Sequence, residues 1–172
     1  MKTKHQTWIT ETMKLYQSPL IGYTYGFTGS HDQARDVVQD TFIKLCKKSE
    51  FDFDNGLKSW LYTVCRNGAL QVLRKGGRMS ELTEVTMMHY EEQSPSPAKS
   101  TEQKDQFKNV LQLIETLPVS QQEVIRLKYN HQMSYQQISE ISGLTVTNVG
   151  FLLHKGLQKL RLEMSKLQEV AR

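Results

Sequence analysis

Three sets of residues in this chain have the type and spacing to do chemistry, and in each the chemistry is binding. Near the C-terminus Thr147, Asn148, Phe151, His154, Lys155, Gln158 and Lys159 recur at helical spacing. An Asn amide can bond an adenine edge, a Phe ring can touch a thymine methyl, and His or Lys can hold phosphate. The second set runs through Phe51, Asp54, Asn55, Lys58, Val64, Arg66, Asn67, Arg74 and Lys75. A ring, an apolar wall, an amide that both donates and accepts, and a series of cations are what an unpaired nucleic-acid strand requires, unless Val64 is simply core and Phe51 a loop anchor. The third is Asp36, Gln39 and Asp40 with Phe42 and Ile43 at the margin. That acidic face with an apolar edge suits a basic protein partner, or it is a solvated helix surface.

Catalysis finds no comparable support. No Gly-rich phosphate loop or nucleophile motif appears, and the five histidines are scattered without metal-ligand spacing. The expectation is a non-enzyme with no catalytic residue, cofactor or metal.

The elements that must carry these residues read as helices, with no convincing strand. A first helix is expected within Gln6 to Phe27, ended by Gly26 and Gly29, with Pro19 able to kink it. Ser30 with Gln33 forms a capping box for a second helix, on which Ala34, Val37, Val38, Thr41, Leu45 and Cys46 recur as the inner stripe. Phe51 to Gly56 is a turn-rich loop. Leu57 to Lys75 is a third helix, its stripe running through Trp60, Leu61, Val64, Cys65 and Leu73, stopped by Gly76-Gly77. Tyr62 and Tyr129 are read as packing residues, and both cysteines as buried reduced thiols.

Beyond Gly77 the pattern weakens. Residues 80–102 contain Pro95 and Pro97 and read as an acidic flexible linker, with transient helix allowed near Leu82 to Tyr90. Helical period returns from Gln103 through Phe107, Val110, Leu111 and Ile114, and ends at Leu117-Pro118. Ser120 with Glu123 is read as a second capping box and Ser134 with Gln137 as a third. Gly143 supplies a tight turn, and Thr145 caps a last helix to about Leu167. A short helix, a Gly-containing turn and a longer helix make a helix-turn-helix. On the last helix Val146, Val149, Leu153, Leu157 and Leu160 are expected to be buried. The fold class is therefore all-α, with two small helical domains, 1–79 and 103–172, joined by the linker.

The charge is uneven. The chain carries 22 Lys and Arg against 18 Asp and Glu, with pI about 9.0. Between Ser80 and Gln106 acids outnumber bases six to two, which leaves the remainder with a surplus of eight positive charges. A basic remainder points to a polyanionic partner, most simply nucleic acid, unless it is an ordinary soluble surface. No apolar run reaches the roughly 18 residues of a membrane span, and no signal-peptide core opens the chain, so a cytoplasmic protein is expected.

The order of these motifs resembles a known family. Asp36-Val-Val-Gln39-Asp40-Thr-Phe42-Ile-Lys44-Leu followed by Leu57-Lys-Ser-Trp60-Leu61-Tyr62-Thr-Val-Cys-Arg66-Asn67 is similar to region 2 of bacterial RNA polymerase sigma factors. Leu117-Pro118, then Ser134-Tyr135-Gln-Gln-Ile138 and the capped last helix, are similar to region 4. The missing intermediate region and short chain resemble the extracytoplasmic-function (ECF) group. Cys65 stands where the family commonly has a small residue such as Ala.

The resemblance implies roles residue by residue. Asp36, Gln39, Asp40, Phe42 and Ile43 would dock on the clamp helices of the largest subunit of core RNA polymerase. Phe51, Asp54, Asn55, Lys58, Val64, Arg66, Asn67, Arg74 and Lys75 would capture the single-stranded minus-ten element. Ser134, Tyr135, Thr145, Thr147, Asn148, Phe151, His154, Lys155 and Lys159 would read the duplex minus-35 element. The polymerase flap and an anti-sigma factor or other targeting protein are the further implied partners.

One departure leaves an alternative open. No charged residue lies between Thr145 and Leu153, whereas many members carry Lys, Ser and Arg where this chain has Gly150, Phe151 and Leu152. Phe151 then meets either a base or another protein. The rival classes are an adaptor whose C-terminal domain binds a target-selecting protein, and a free-standing helix-turn-helix regulator. The N-terminal motif argues against the second.

Overall fold

A computed structural model describes residues 2–49, 52, 53, 56–76 and 110–170. Among them every regular element is a helix, arranged in two compact units. The expected linker and the transient helix at Leu82 to Tyr90 lie outside the described residues.

The N-terminal unit is three helices packed pairwise: α1 (Lys2–Thr28), α2 (His31–Leu45) and α3 (Leu57–Lys75). The first helix begins earlier than its apolar pattern indicated and runs unbroken through Pro19. Proline lacks the N–H that would bond the Leu15 carbonyl. Leu15 is 69% exposed, so the lost bond falls on the solvent side of the helix. Gly26 lies inside the helix. Gly29, at φ 64°, ends it, with its N–H on the Tyr25 carbonyl at 2.9 Å.

Helix α2 opens on half of the expected capping box. The Ser30 hydroxyl accepts from the Gln33 N–H at 3.4 Å, but the Gln33 carboxamide oxygen is buried without a partner and makes no return bond. Thr28 takes over the return half, its hydroxyl accepting the Ser30 N–H at 3.4 Å. The third helix matches its expected bounds.

The core of this unit is Leu20, Tyr23 and Phe27 from α1, Val38, Phe42 and Leu45 from α2, and Leu61, Tyr62, Cys65 and Ala69 from α3. Tyr23 sits at its centre, with ring centroids 5.3 Å from Phe27 and 5.0 Å from Tyr62. Where α2 crosses α3, a Cβ added to Gly68 would stand 2.7 Å from Val37 Cγ1. Beside that crossing the Thr41 hydroxyl donates to the Val37 carbonyl at 2.9 Å and lies 3.3 Å from Cys65 Sγ.

In this unit two expectations about burial need correction. Cys46 is exposed, because it stands at the C-cap after the inner stripe has ended at Leu45. Phe42 is 4% exposed and belongs to the core, so it cannot anchor a partner.

In the C-terminal unit, helical residues 110–115 lead through Pro118 into α4 (Val119–Tyr129), α5 (Tyr135–Ser142) and α6 (Val146–Val170). The Ser120–Glu123 box does not form. Helix α4 starts two residues earlier, with Pro118 rather than Ser120 at the N-cap and no side-chain cap bond, and Glu123 is buried. The entry is held instead by buried Gln122, whose amide donates to the carbonyls of Glu115 at 3.1 Å and Leu117 at 2.7 Å. The Ser134–Gln137 box is complete in both directions. Gly143 takes φ 74°, a left-handed conformation that favours glycine, and ends α5. Val124, Leu127, Ile138, Ile141, Val149 and Leu153 fill the core. Tyr129, expected to pack, is 56% exposed, and Val146 is 42% exposed at the first turn of α6.

Gly68→Ala should force Val37, a stiff β-branched residue, out of its place. Overpacking of this kind costs about 1–3 kcal/mol, which urea unfolding would read as a lowered midpoint. An unchanged midpoint would mean that α2 and α3 can separate freely.

Candidate functional site

The inner stripe of α2 turns Val38, Phe42 and Leu45 inward, so Asp36, Gln39, Asp40 and Ile43 come out together on solvent. Ile43 is 57% exposed. Without Phe42, it is the apolar member of this face. Two carboxylates beside an exposed branched alkyl group suit a basic helix that also offers an apolar contact.

The face of α3 is set by the same periodicity. Trp60, Val64 and Asn67 follow one another at i, i+4 and i+7. Trp60 and Val64 are half-buried and Asn67 is exposed. Partial burial lowers the Lys58 pKa from its ordinary value. Arg66 is half-buried, and Arg74 and Lys75 are exposed at the helix end. There they also complement the negative end of the helix dipole. Phe51, Asp54 and Asn55 lie outside the described residues. The aromatic that the structure does place in this loop is Phe53. It was not singled out in the sequence, where Phe51 stands in the same short run.

The helix-turn-helix exposes its whole expected set: Ser134, Tyr135, Thr145, Thr147, Asn148, Phe151, His154, Lys155 and Lys159. Two of them have structural duties. The Ser134 hydroxyl accepts from the Gln137 N–H at 3.1 Å, and the Thr145 hydroxyl from the Asn148 N–H at 3.2 Å. Each hydroxyl hydrogen remains able to donate. Phe151 is 54% exposed, with Lys155 Nζ 5.8 Å from its ring centroid. Tyr135 leans over Gly150, where an added Cβ would lie 3.6 Å from the ring. Lys128 Nζ stands 5.2 Å from the Tyr135 centroid and donates to the Met133 carbonyl at 3.4 Å. The fold thus brings cations beside both rings, although the helix lacks charge between 145 and 153. Cation–π contact of this kind leaves the ammonium partly hydrated and able to meet phosphate.

Among the described residues no group of three His, Cys, Asp or Glu side chains could hold a metal, and no helix is long and apolar enough to cross a membrane. Burial pushes the Cys65 thiol up to about 11 from an ordinary 9.0, against the opposing hydrogen bond of Thr41 and the charge of Lys44.

Comparisons with known proteins agree with this geometry. The description "Sigma-70 region 2" matches residues 12–79 and "Sigma-70, region 4" matches residues 107–160. The chain is 27% identical to the RNA polymerase sigma factor YlaC of Bacillus subtilis, over 98% of this chain and 99% of that protein. It is 24% identical to the ECF RNA polymerase sigma factor SigW of the same organism, over 97% and 94%. The structure of the sigma factor RpoE of Bartonella quintana, solved with the anti-sigma factor NepR, is similar at a TM-score of 0.64 and 25% identity, covering 95% of this chain and 98% of that one.

The two thiols should separate in alkylation. On the folded chain Cys46 should react near neutral pH while Cys65 waits for unfolding, as intact mass before and after denaturant will record. Because the folded Cys65 pKa is raised, its contribution to stability is full below pH 9.0 and is lost as pH rises to about 11. Cys65→Ala should therefore flatten the fall of stability across that window; parallel pH curves for variant and parent would exclude the effect.

Proposed function

The chain belongs to the sigma-70 family of RNA polymerase sigma factors, and from that membership we propose that it works as an ECF-type initiation factor for core RNA polymerase. In this reading the outer face of α2 (Asp36, Gln39, Asp40 and Ile43) docks on the clamp helices of the largest subunit. The loop before α3, with Lys58, Val64, Arg66 and Asn67, opens and holds the minus-ten strand. Residues on α5 and α6, chiefly Tyr135, Asn148, Phe151, Lys155 and Lys159, read the minus-35 duplex, while this unit meets the polymerase flap. RNA synthesis itself is left to the polymerase.

The observation that carries the proposal is the coexistence, in family order, of regions 2 and 4 in one chain. In this reading each carries its own binding set. The ECF assignment is supported by relatives that carry that name and match this chain nearly end to end. Region boundaries at 1–79, 80–102 and 103–172 follow from the same reading. The anti-sigma partner of the similar Bartonella quintana protein supports an inhibitor of that class here too.

A second reading draws on Phe151, 54% exposed in an uncharged run. There the C-terminal unit binds a protein that selects the target. In vitro transcription with core polymerase over a promoter library separates the two. Full-length protein should give promoter-specific transcripts that vanish when residues 103–172 are removed. Transcripts that survive removal in the presence of such a partner would favour the adaptor.

Phe151→Ala should change base preference within the minus-35 element by about 1–3 kcal/mol at the contacted position. The same library would return an unaltered profile if Phe151 does not touch DNA. Charge reversal of both Asp36 and Asp40 should weaken core binding about tenfold or more with the circular dichroism spectrum unchanged. Wild-type affinity in a pull-down titration would remove α2 from the docking role.

A further inference from the structure

Between α2 and α3 lie residues 46–56, and the described ones among them bond to one another and to the start of α3. The Ser49 N–H donates to Asp52 Oδ2 at 2.6 Å, and the Asp52 N–H to the Ser49 carbonyl at 3.0 Å. The Gly56 N–H donates to the Phe53 carbonyl at 2.5 Å, and the Trp60 N–H to the Gly56 carbonyl at 3.0 Å. A Cβ at Gly56 would stand 3.0 Å from the Phe53 carbonyl oxygen, so these two residues approach closely.

These bonds shape the loop but do not fasten it to α1. The Phe53 side chain does. Its ring centroid lies 5.1 Å from that of Trp60 on α3, at 62°, and 6.1 Å from that of Trp8 on α1, at 36°. All three rings are half-buried. Trp60 is also the first member of the Trp60–Val64–Asn67 row, so the fastening sits at the head of the face assigned to the single strand. Nothing in the linear spacing of Trp8 and Phe53 would bring them together; the packing of α1 on α3 does.

We infer that Phe53 is a positioning residue for strand capture. Held between Trp8 and Trp60, it fixes the loop against the head of the Trp60–Val64–Asn67 row, so that the receiving surface exists before the strand arrives. The inference rests on the reading of that face as the strand-holding one. An extruded base has already lost its stacking, so a surface that also had to order its loop on binding would hold it less tightly. Tilted ring pairs of this kind supply direction as well as buried area.

The test uses holoenzyme assembled from core polymerase and each full-length variant. It is titrated with a labelled single-stranded oligonucleotide carrying the non-template minus-ten sequence of a promoter that the wild-type protein transcribes. Phe53→Ala and Trp8→Ala should each weaken capture about tenfold, equivalent to about 1.4 kcal/mol, while affinity for core polymerase stays as in the parent. Phe53→Tyr, which keeps the ring, should restore capture. The shared effect of Trp8, remote in sequence and on another helix, is the signature of positioning. Parental capture by both alanine variants would overturn the inference. So would a loss of core affinity in step with capture, which would make Phe53 part of general packing. If the wild-type holoenzyme itself fails to hold the strand, the strand-capture reading falls and the inference with it.

Discussion

The close crossing of α2 and α3 at Gly68 governs the N-terminal unit. A Cβ at Gly68 would lie 2.7 Å from Val37 Cγ1, so the two helices are as near as a glycine permits. Each helix turns one stripe toward the other, and its remaining surface is then fixed by the 3.6-residue period. On α2 that leaves Asp36, Gln39, Asp40 and Ile43 outward; on α3 it leaves Val64 and Asn67 at the surface. A helix pair that drifted apart or rolled would move both sets at once. The buried Thr41–Cys65 contact at 3.3 Å limits such rolling, since a hydrogen bond in a dry core is costly to break without replacement.

Much of this was legible in the sequence because it depends on local period. The bounds of α3 and the exposed set on α6 follow from counting alone, and so does the Gly143 turn. The failures cluster where tertiary contacts override local chemistry. Ser30, Ser120 and Ser134 each precede a Gln or Glu by three residues, yet only Ser134 forms a complete box. Ser120 is displaced because Pro118, with its fixed φ and no N–H to satisfy, already starts α4, and Gln122 bonds the preceding carbonyls from inside the core. Phe42 and Ile43 show the same limit at one residue's resolution. Both lie at the edge of the stripe, and only packing decides that Phe42 goes in and Ile43 stays out.

Tyr129, Val146 and Cys46 share a different cause. Each stands at or beside a helix end, where the neighbouring layer has run out. Periodicity continues to the last residue of a helix, but the surface it packs against does not. Phe53 is the converse case. It lies in a loop with no period to read, and its partners are 45 residues back and seven ahead in the chain. Sequence spacing can assign a ring to that loop but cannot say which neighbours will hold it.

The uncharged run of α6 looks less anomalous in this light. A cation need not come from the helix that enters a groove. Lys128 reaches the Tyr135 ring from α4, and Lys155 reaches the Phe151 ring from the next turn of α6. Charge is therefore supplied around residues 145–153 rather than within them, while Asn148 and Phe151 stay open at the centre. Cations at the margin favour phosphate contact, which sets register and salt dependence without choosing bases. Discrimination would then fall to one amide and one ring. A surface so divided suits a protein held on its partner by another domain, since little of its affinity needs to come from the bases themselves.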